Sequence, residues 1–244
     1  MAQSSNPPLF VSIVIPVYNE LNTIKSVLES VQNQDICRVK LETIVVDDGS
    51  DDGTREILEN NPHLYDHLIL NPVNLGKGGA VREGLRASNG EFVLFQDADL
   101  EYDPVEYRKL FGPVLNFEAD VVMGSRFLAP EWTKVFYFYH KLGNKLICIL
   151  FNLFFNTTWT DIYSCYLLFR KNLINPDKLR TDGWDQQAEI LGKLCKRKVH
   201  LYEVPINYNG RSYSEGKKIR WYHTLRVILT IISVRLLPYG ERQK

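Results

Sequence analysis

The first half of the chain alternates short β-branched runs with longer stretches of helical spacing. That alternation confines it to the α/β class, with strands crossing over through helices into a mostly parallel sheet. Phe10 to Ile15, Leu41 to Val46, His67 to Leu70 and Glu91 to Phe95 read as strands. Asn22 to Asn33, Asp52 to Asn60 and Lys77 to Ser88 carry helical spacing, with Ser50 or Asp51 as the N-cap of the second and Asn89-Gly90 as the stop of the third. Beyond this series, Pro104 opens a helix to about Phe117, Asp120 to Gly124 reads as a strand, and a long apolar helix is expected from about Phe138 to Phe155. Ser164 to Phe169 and Val199 to Val204 are expected strands, Asp185 to Cys195 a helix, and Ile219 to Leu237 a terminal helix.

With 45% hydrophobic and 24% charged residues, the chain can bury a substantial core, which excludes disorder and collagen-like structure. No Gly-, Ser- or Pro-rich run divides the 244 residues, so a single domain is expected. Basic and acidic residues balance at 29 each, but residues 1–120 carry a net charge of −11 and residues 121–244 one of +11. The basic half is interleaved with long apolar stretches rather than presented as a stripe, which argues against a nucleic-acid partner. Cys37, Cys148, Cys165 and Cys195 are scattered without a CxxC pair, so neither a disulfide framework nor a zinc site follows, and a reducing cytoplasm is the simplest home. The N-terminal stretch lacks a basic n-region and is broken by Pro16 and Asn19, so no signal peptide is expected. The apolar segments Leu146 to Phe155 and Leu225 to Leu237 fall short of the roughly 20 residues a spanning helix needs.

Ligands of open parallel sheets bind at the carboxyl ends of the strands. Here those ends are unusually acidic: Pro16-Val17-Tyr18-Asn19-Glu20, Asp47-Asp48-Gly49-Ser50-Asp51-Asp52, and Gln96-Asp97-Ala98-Asp99-Leu100-Glu101. Two carboxylates flanking a small residue can hold a divalent ion that still binds substrate oxygens, with Glu101 a possible third donor. An oxygen-only set suits Mg²⁺ or Mn²⁺ better than zinc. Taken alone, such a triplet is more often a solvated acidic turn. The Asn74-Leu75-Gly76-Lys77-Gly78-Gly79 loop looks like a phosphate loop without the spacing of a nucleotide triphosphatase, and Lys77 in it reads equally well as a solvated first-turn lysine.

In order and spacing, VSIVIPVYNE, ETIVVDDGSDDGT, NLGKGGAVREG, GEFVLFQDADLEYDP and DVVMGSRF resemble the family 2 glycosyltransferases with a GT-A nucleotide-sugar fold, in particular the dolichyl-phosphate mannose synthase branch. The resemblance continues through Thr160 to Tyr166 and through Val204-Pro205-Ile206 with the basic loop Arg211 to Lys218. It implies that residues of about 10–124 form a nucleotide-sugar and metal half, and about 125–244 an acceptor and membrane-facing half. Pro16, Tyr18, Glu20, Val46, Asp47 and Asp48 would line the nucleoside pocket, while Asp97, Ala98 and Asp99 would hold the metal and diphosphate. Glu101 stands where some relatives have Gln, Asp185 where some place a basic residue, and His140 where relatives carry Arg.

The implied reaction is inverting transfer of a hexose, mannose or glucose, from GDP-mannose or UDP-glucose to a polyprenyl phosphate. A metal on Asp97 and Asp99 would stabilise the departing diphosphate. A phosphate monoester is largely ionised at neutral pH, so the acceptor requires cations rather than a strong base. Arg126, His140, Asn144, Arg211, Lys217 and Lys218 are the candidates, beside Lys77 on the donor side. The apolar helices of the second half, with Arg220, Arg226 and Arg235 on the last, suit an anionic membrane interface and a peripheral place on the cytoplasmic membrane face. They could equally pack on the sheet or against a second copy. Two other functions stay open at this point: transfer to a sugar hydroxyl, with Asp161 or Asp185 as base, and a non-catalytic nucleotide-binding scaffold.

Overall fold

A computed structural model describes residues 7–132, 134–135, 137–210 and 222–237, and of residues 222 and 223 the backbone alone. Seven strands, β1 (Leu9–Val17), β2 (Val39–Asp47), β3 (His67–Leu70), β4 (Phe92–Phe95), β5 (Val121–Ser125), β6 (Leu167–Arg170) and β7 (Leu201–Pro205), form one sheet in the order β3-β2-β1-β4-β6-β5-β7. All neighbours run parallel except β6, which is antiparallel to both β4 and β5. The helices are α1 (Ile24–Gln32), α2 (Thr54–Asn60), α3 (Lys77–Ala87), α4 (Tyr107–Phe117), α5 (Phe138–Phe155), α6 (Gln186–Cys195) and α7 (Tyr222–Leu236). This is the expected α/β class, a mostly parallel sheet flanked by helices.

The differences from expectation have local causes. β1 runs two residues past Ile15 because its ladder with β2 continues to Val17 opposite Asp47. Pro16 is tolerated there because the β4 ladder has ended at Val14, so its missing N–H deprives no partner. Neither Ser50 nor Asp51 caps α2. Gly53 takes the cap position at φ +98°, and the Asp52 carboxylate accepts from the Thr54 amide at 3.0 Å. The expected strand from Ser164 starts only at Leu167, and α7 is described from Tyr222, so the expected start at Ile219 lies outside the described residues.

β1, β2, β4 and β5 are buried along most of their length, which is why their sequences read as continuous β-branched runs rather than alternating ones. From β1 the chain moves to β2 and β3 on one side, then returns across β1 to place β4 on the other. The gap between the carboxyl ends of β1 and β4 is thus a topological switch point, where open sheets of this kind leave a crevice. At the far side, α5, α6 and α7 pack together, and a side chain at Gly192 of α6 would meet Phe155 at 2.9 Å and Val234 at 3.1 Å. Among the described residues, no helix is long and apolar enough to cross a membrane.

Candidate active site

The Asp97-Ala98-Asp99 turn leaves β4 at the switch point and is anchored from below. Gln96 is fully buried; its amide oxygen accepts from the hydroxyls of Tyr107 and Tyr166, each at 2.8 Å, and its amide nitrogen donates to the Asp97 carbonyl at 2.9 Å. The Ala98 carbonyl accepts from Thr23 Oγ1 at 2.9 Å, tying the turn to the start of α1. Asp99 Oδ1 accepts from the Glu101 amide at 3.1 Å. Asp97 Oδ1 accepts from Lys77 Nζ at 2.5 Å, and the same ammonium lies 4.9 Å from the centre of the Trp184 ring. Burial works against the Lys77 charge, but the Asp97 carboxylate, together with Cys165 and Asp99, raises the lysine pKa on balance. Cys165 also sits against Asp97; burial first, and the carboxylate charge second, push its thiol well up, so it is a packed thiol and no nucleophile.

Glu101 does not complete a three-carboxylate set. Its carboxylate takes the Tyr208 hydroxyl at 2.5 Å, its carbonyl takes the Asn209 amide, and among the described residues no three His, Cys, Asp or Glu side chains are grouped to hold a metal. Asp97 and Asp99 remain as two hard oxygen donors. Such a pair fits Mg²⁺ or Mn²⁺ where waters and phosphate oxygens complete the shell.

The expected nucleoside wall is placed only in part. Tyr18 is exposed and Pro16 and Glu20 partly so, on a rim where Asn19 at φ +53° exchanges hydrogen bonds with Asp51 and the Glu20 amide donates to Thr54 Oγ1. Val46, Asp47 and Asp48 point inward instead. Val46 packs with Ile44 and Ala80. Asp47 is fully buried under Arg55, whose Nε and Nη2 reach its Oδ2 at 2.9 and 2.7 Å. Asp48 Oδ1 accepts from Asn71 Nδ2 and the Leu75 amide, both at 2.9 Å, and so shapes the loop that delivers Lys77. All three are buried behind the rim that carries Tyr18.

Arg126 departs furthest from expectation. Only 9% exposed, it grips Asp161, itself 1% exposed, through Nε at 2.6 Å and Nη2 at 2.9 Å, and it stacks 5.0 Å over Tyr208. The Asp161 oxygens also accept from the Arg126 and Tyr163 amides. Arg126 is thus held in place by the Asp161 carboxylate. Asp161 is equally spent as a base. Asp185, the other candidate base, is 4% exposed and accepts from Thr230 on α7. His140 and Asn144 lie one turn apart in the first half of α5, partly exposed. Arg211, Lys217, Lys218 and Arg220 lie outside the described residues.

Sequence reasoning passed over Gln96, Trp184 and Tyr208, and took Asp161 only as a base. One signal was available: Asp161 is the first carboxylate after Glu131 in a stretch otherwise basic and apolar, the natural partner for a buried arginine.

The glycosyl transferase family 2 model matches residues 12–175, a span that holds the strand ends and the Asp97–Asp99 turn. The chain belongs to that family. The transferase is 30% identical over 208 residues to glycosyltransferase AglJ of Haloferax volcanii, covering 84% of this chain and 64% of that protein. It is 28% identical to the UDP-N-acetylglucosamine–dolichyl-phosphate N-acetylglucosaminyltransferase of Methanococcus voltae, over 84% of this chain and 88% of the relative. Glycosyltransferase GlyA of Streptococcus pneumoniae is also 28% identical, but the chain spans only 33% of its length. In fold, the transferase resembles glucosyl-3-phosphoglycerate synthase from Mycobacterium tuberculosis, a structure in complex with Mn²⁺, uridine diphosphate and phosphoglyceric acid. The TM-score is 0.71 at 22% identity, over 95% of this chain and 80% of that one. The fold is GT-A, and the chain is a member of glycosyl transferase family 2.

Proposed function

We propose that this glycosyltransferase moves a hexose from a nucleotide sugar to a polyprenyl phosphate, with inversion, while resting peripherally on the cytoplasmic face of a membrane. The observation that carries the acceptor is the outer face of α5. Tyr139, Leu142, Leu146, Ile149 and Leu153 recur at helical spacing and are 41–82% exposed, and α5 holds Lys141 and Lys145 but no carboxylate. On α7, Leu225, Leu229 and Leu236 are likewise exposed, with Arg226 and Arg235 and again no carboxylate. Such faces suit the interface of an anionic bilayer, where a prenyl chain would lie. The dolichyl phosphate in the Methanococcus relative's name supports the same acceptor class.

Within the site, Asp97 and Asp99 would hold Mg²⁺ or Mn²⁺, and the ion would supply Lewis-acid stabilisation of the leaving diphosphate. Lys77 stands ready to add positive charge at the same place. Gln96 and its two tyrosines fix the turn before any ligand arrives, so little reorganisation accompanies the reaction. His140, Asn144 and the basic 211–220 segment would meet the acceptor phosphate. Its own ionisation makes a protein base unnecessary, in keeping with Asp161 being committed to Arg126. Mannose and glucose remain the donors of choice from the family branch, and the Methanococcus relative adds N-acetylglucosamine to those worth offering.

The test is incubation of purified protein with Mn²⁺, a short polyprenyl phosphate and labelled GDP-mannose, UDP-glucose or UDP-N-acetylglucosamine, with label counted in the organic phase. Lipid label from one donor, abolished by EDTA, is the expected result. Label only in water-soluble glycans would move the acceptor to a sugar hydroxyl.

A further inference from the structure

Lys77 is fastened on three sides. Its ammonium holds Asp97 at 2.5 Å and lies over Trp184, while the backbone on either side of it is pressed against the Thr181–Asp182 segment. The Gly78 amide donates to the Asp182 carbonyl at 2.8 Å. A Cβ at Gly76 or Gly78 would sit 2.3 Å from the Asp182 oxygen or 2.4 Å from the Thr181 oxygen, so glycine alone allows this approach. The result is a cation seated on one of the two carboxylates that would hold a divalent ion. A second, doubly charged cation arriving at Asp97 meets both the occupied oxygen and the repulsion of the ammonium.

Resting on the reading of this turn as the nucleotide-sugar and metal site, we propose that Lys77 and the divalent ion compete for Asp97, and that the diphosphate of the nucleotide ends the competition by taking Lys77 as its own counter-ion. The free enzyme then binds metal weakly, and donor and metal enter as a coupled pair. By linkage, the nucleotide tightens metal binding by the same factor as metal tightens nucleotide binding. Part of that factor belongs to Lys77 rather than to the ion's bridging of protein and phosphate, and it is the part a substitution can remove.

The measurement is Mn²⁺ affinity from the electron paramagnetic resonance of unbound ion, with and without UDP or GDP, in wild type, Lys77→Met and Lys77→Arg. Without nucleotide, Lys77→Met should bind Mn²⁺ about tenfold more tightly than wild type, within the usual range of such couplings. The nucleotide-driven tightening should shrink by the same factor in Lys77→Met and persist in Lys77→Arg. A second readout uses the wild-type fold: UDP or GDP without metal should change tryptophan emission in wild type and leave Trp184→Phe unchanged. Equal or weaker Mn²⁺ binding by nucleotide-free Lys77→Met, undiminished coupling, or an emission change that survives in Trp184→Phe would overturn the exchange. If wild type binds neither UDP nor GDP, the reading of the site itself fails; if it binds them and Lys77→Met behaves as wild type, only the exchange fails.

Discussion

Asp161→Ala separates the two roles open to Arg126. In the structure Arg126 is only 9% exposed, and its guanidinium makes two short hydrogen bonds to one carboxylate. Deleting that carboxylate leaves a buried charge without its partner, which costs about 3–5 kcal/mol. Two backbone amides, of Arg126 and Tyr163, lose their acceptor as well, which places the cost toward the upper end. For a chain of 244 residues, an unfolding entropy of about 2.1 cal/mol/K per residue converts 4 kcal/mol into a fall in Tm of about 8 °C. Arg126→Ala, leaving Asp161 buried alone, should fall comparably. The paired replacement Arg126→Met with Asp161→Leu should lose much less than the sum, because neither charge is stranded. Urea unfolding followed by circular dichroism gives the three free energies. If Asp161→Ala costs under about 1 kcal/mol, the figure typical of an exposed pair, Arg126 is not the committed partner described here and its place as an acceptor-binding cation reopens.

Glu42 takes hydrogen bonds from Ser12 and Asn89; although burial alone would raise its pKa, these bonds hold it below the ordinary 4.5. A depressed carboxylate stabilises above its unfolded pKa and loses that contribution as pH falls through the folded value, so the gap between wild type and Glu42→Gln, about 2 kcal/mol at pH 7, should close in urea titrations below pH about 4.5. Gln96→Leu strands the buried hydroxyls of Tyr107 and Tyr166, at about 1–3 kcal/mol each, and frees the Asp97 carbonyl, so both Tm and kcat should drop. Gly78→Ala forces a methyl against the Thr181 oxygen and should cost about 1–3 kcal/mol in urea unfolding. Gly112→Ala, with no heavy atom within 4 Å of the new Cβ, should instead stabilise α4 by up to about 1 kcal/mol.

Local signals carried the fold a long way. The bounds of β3 and the end of α5 were readable to the residue, the latter because the apolar run stops at Asn156, which adopts the left-handed cap at φ +52°. The acidic turn after β4 was readable because a switch point is a consequence of strand order, and strand order follows from the crossovers. What periodicity could not carry was partnership across long separations. The antiparallel insertion of β6 between β4 and β5, the grip of Arg126 on Asp161, and the seat of Lys77 over Trp184 each join residues from distant segments. The partners of Asp47 and Asp48 were hidden for a related reason. A carboxylate at a strand end reads as ligand-facing until Arg55 on α2, and Asn71 with Leu75 after β3, are seen to consume it.

The central claim is that Asp97 and Asp99 at the end of β4 carry sugar transfer. Its most direct test is release of nucleoside diphosphate from the preferred sugar donor, with Mn²⁺ and polyprenyl phosphate, by wild type and by Asp99→Ala matched for circular dichroism and Tm. In Asp99→Ala kcat should fall by about 10²–10³ or more, the loss usual when preorganised stabilisation of a leaving group is removed. Turnover by folded Asp99→Ala within a few-fold of wild type would place the chemistry elsewhere in the molecule.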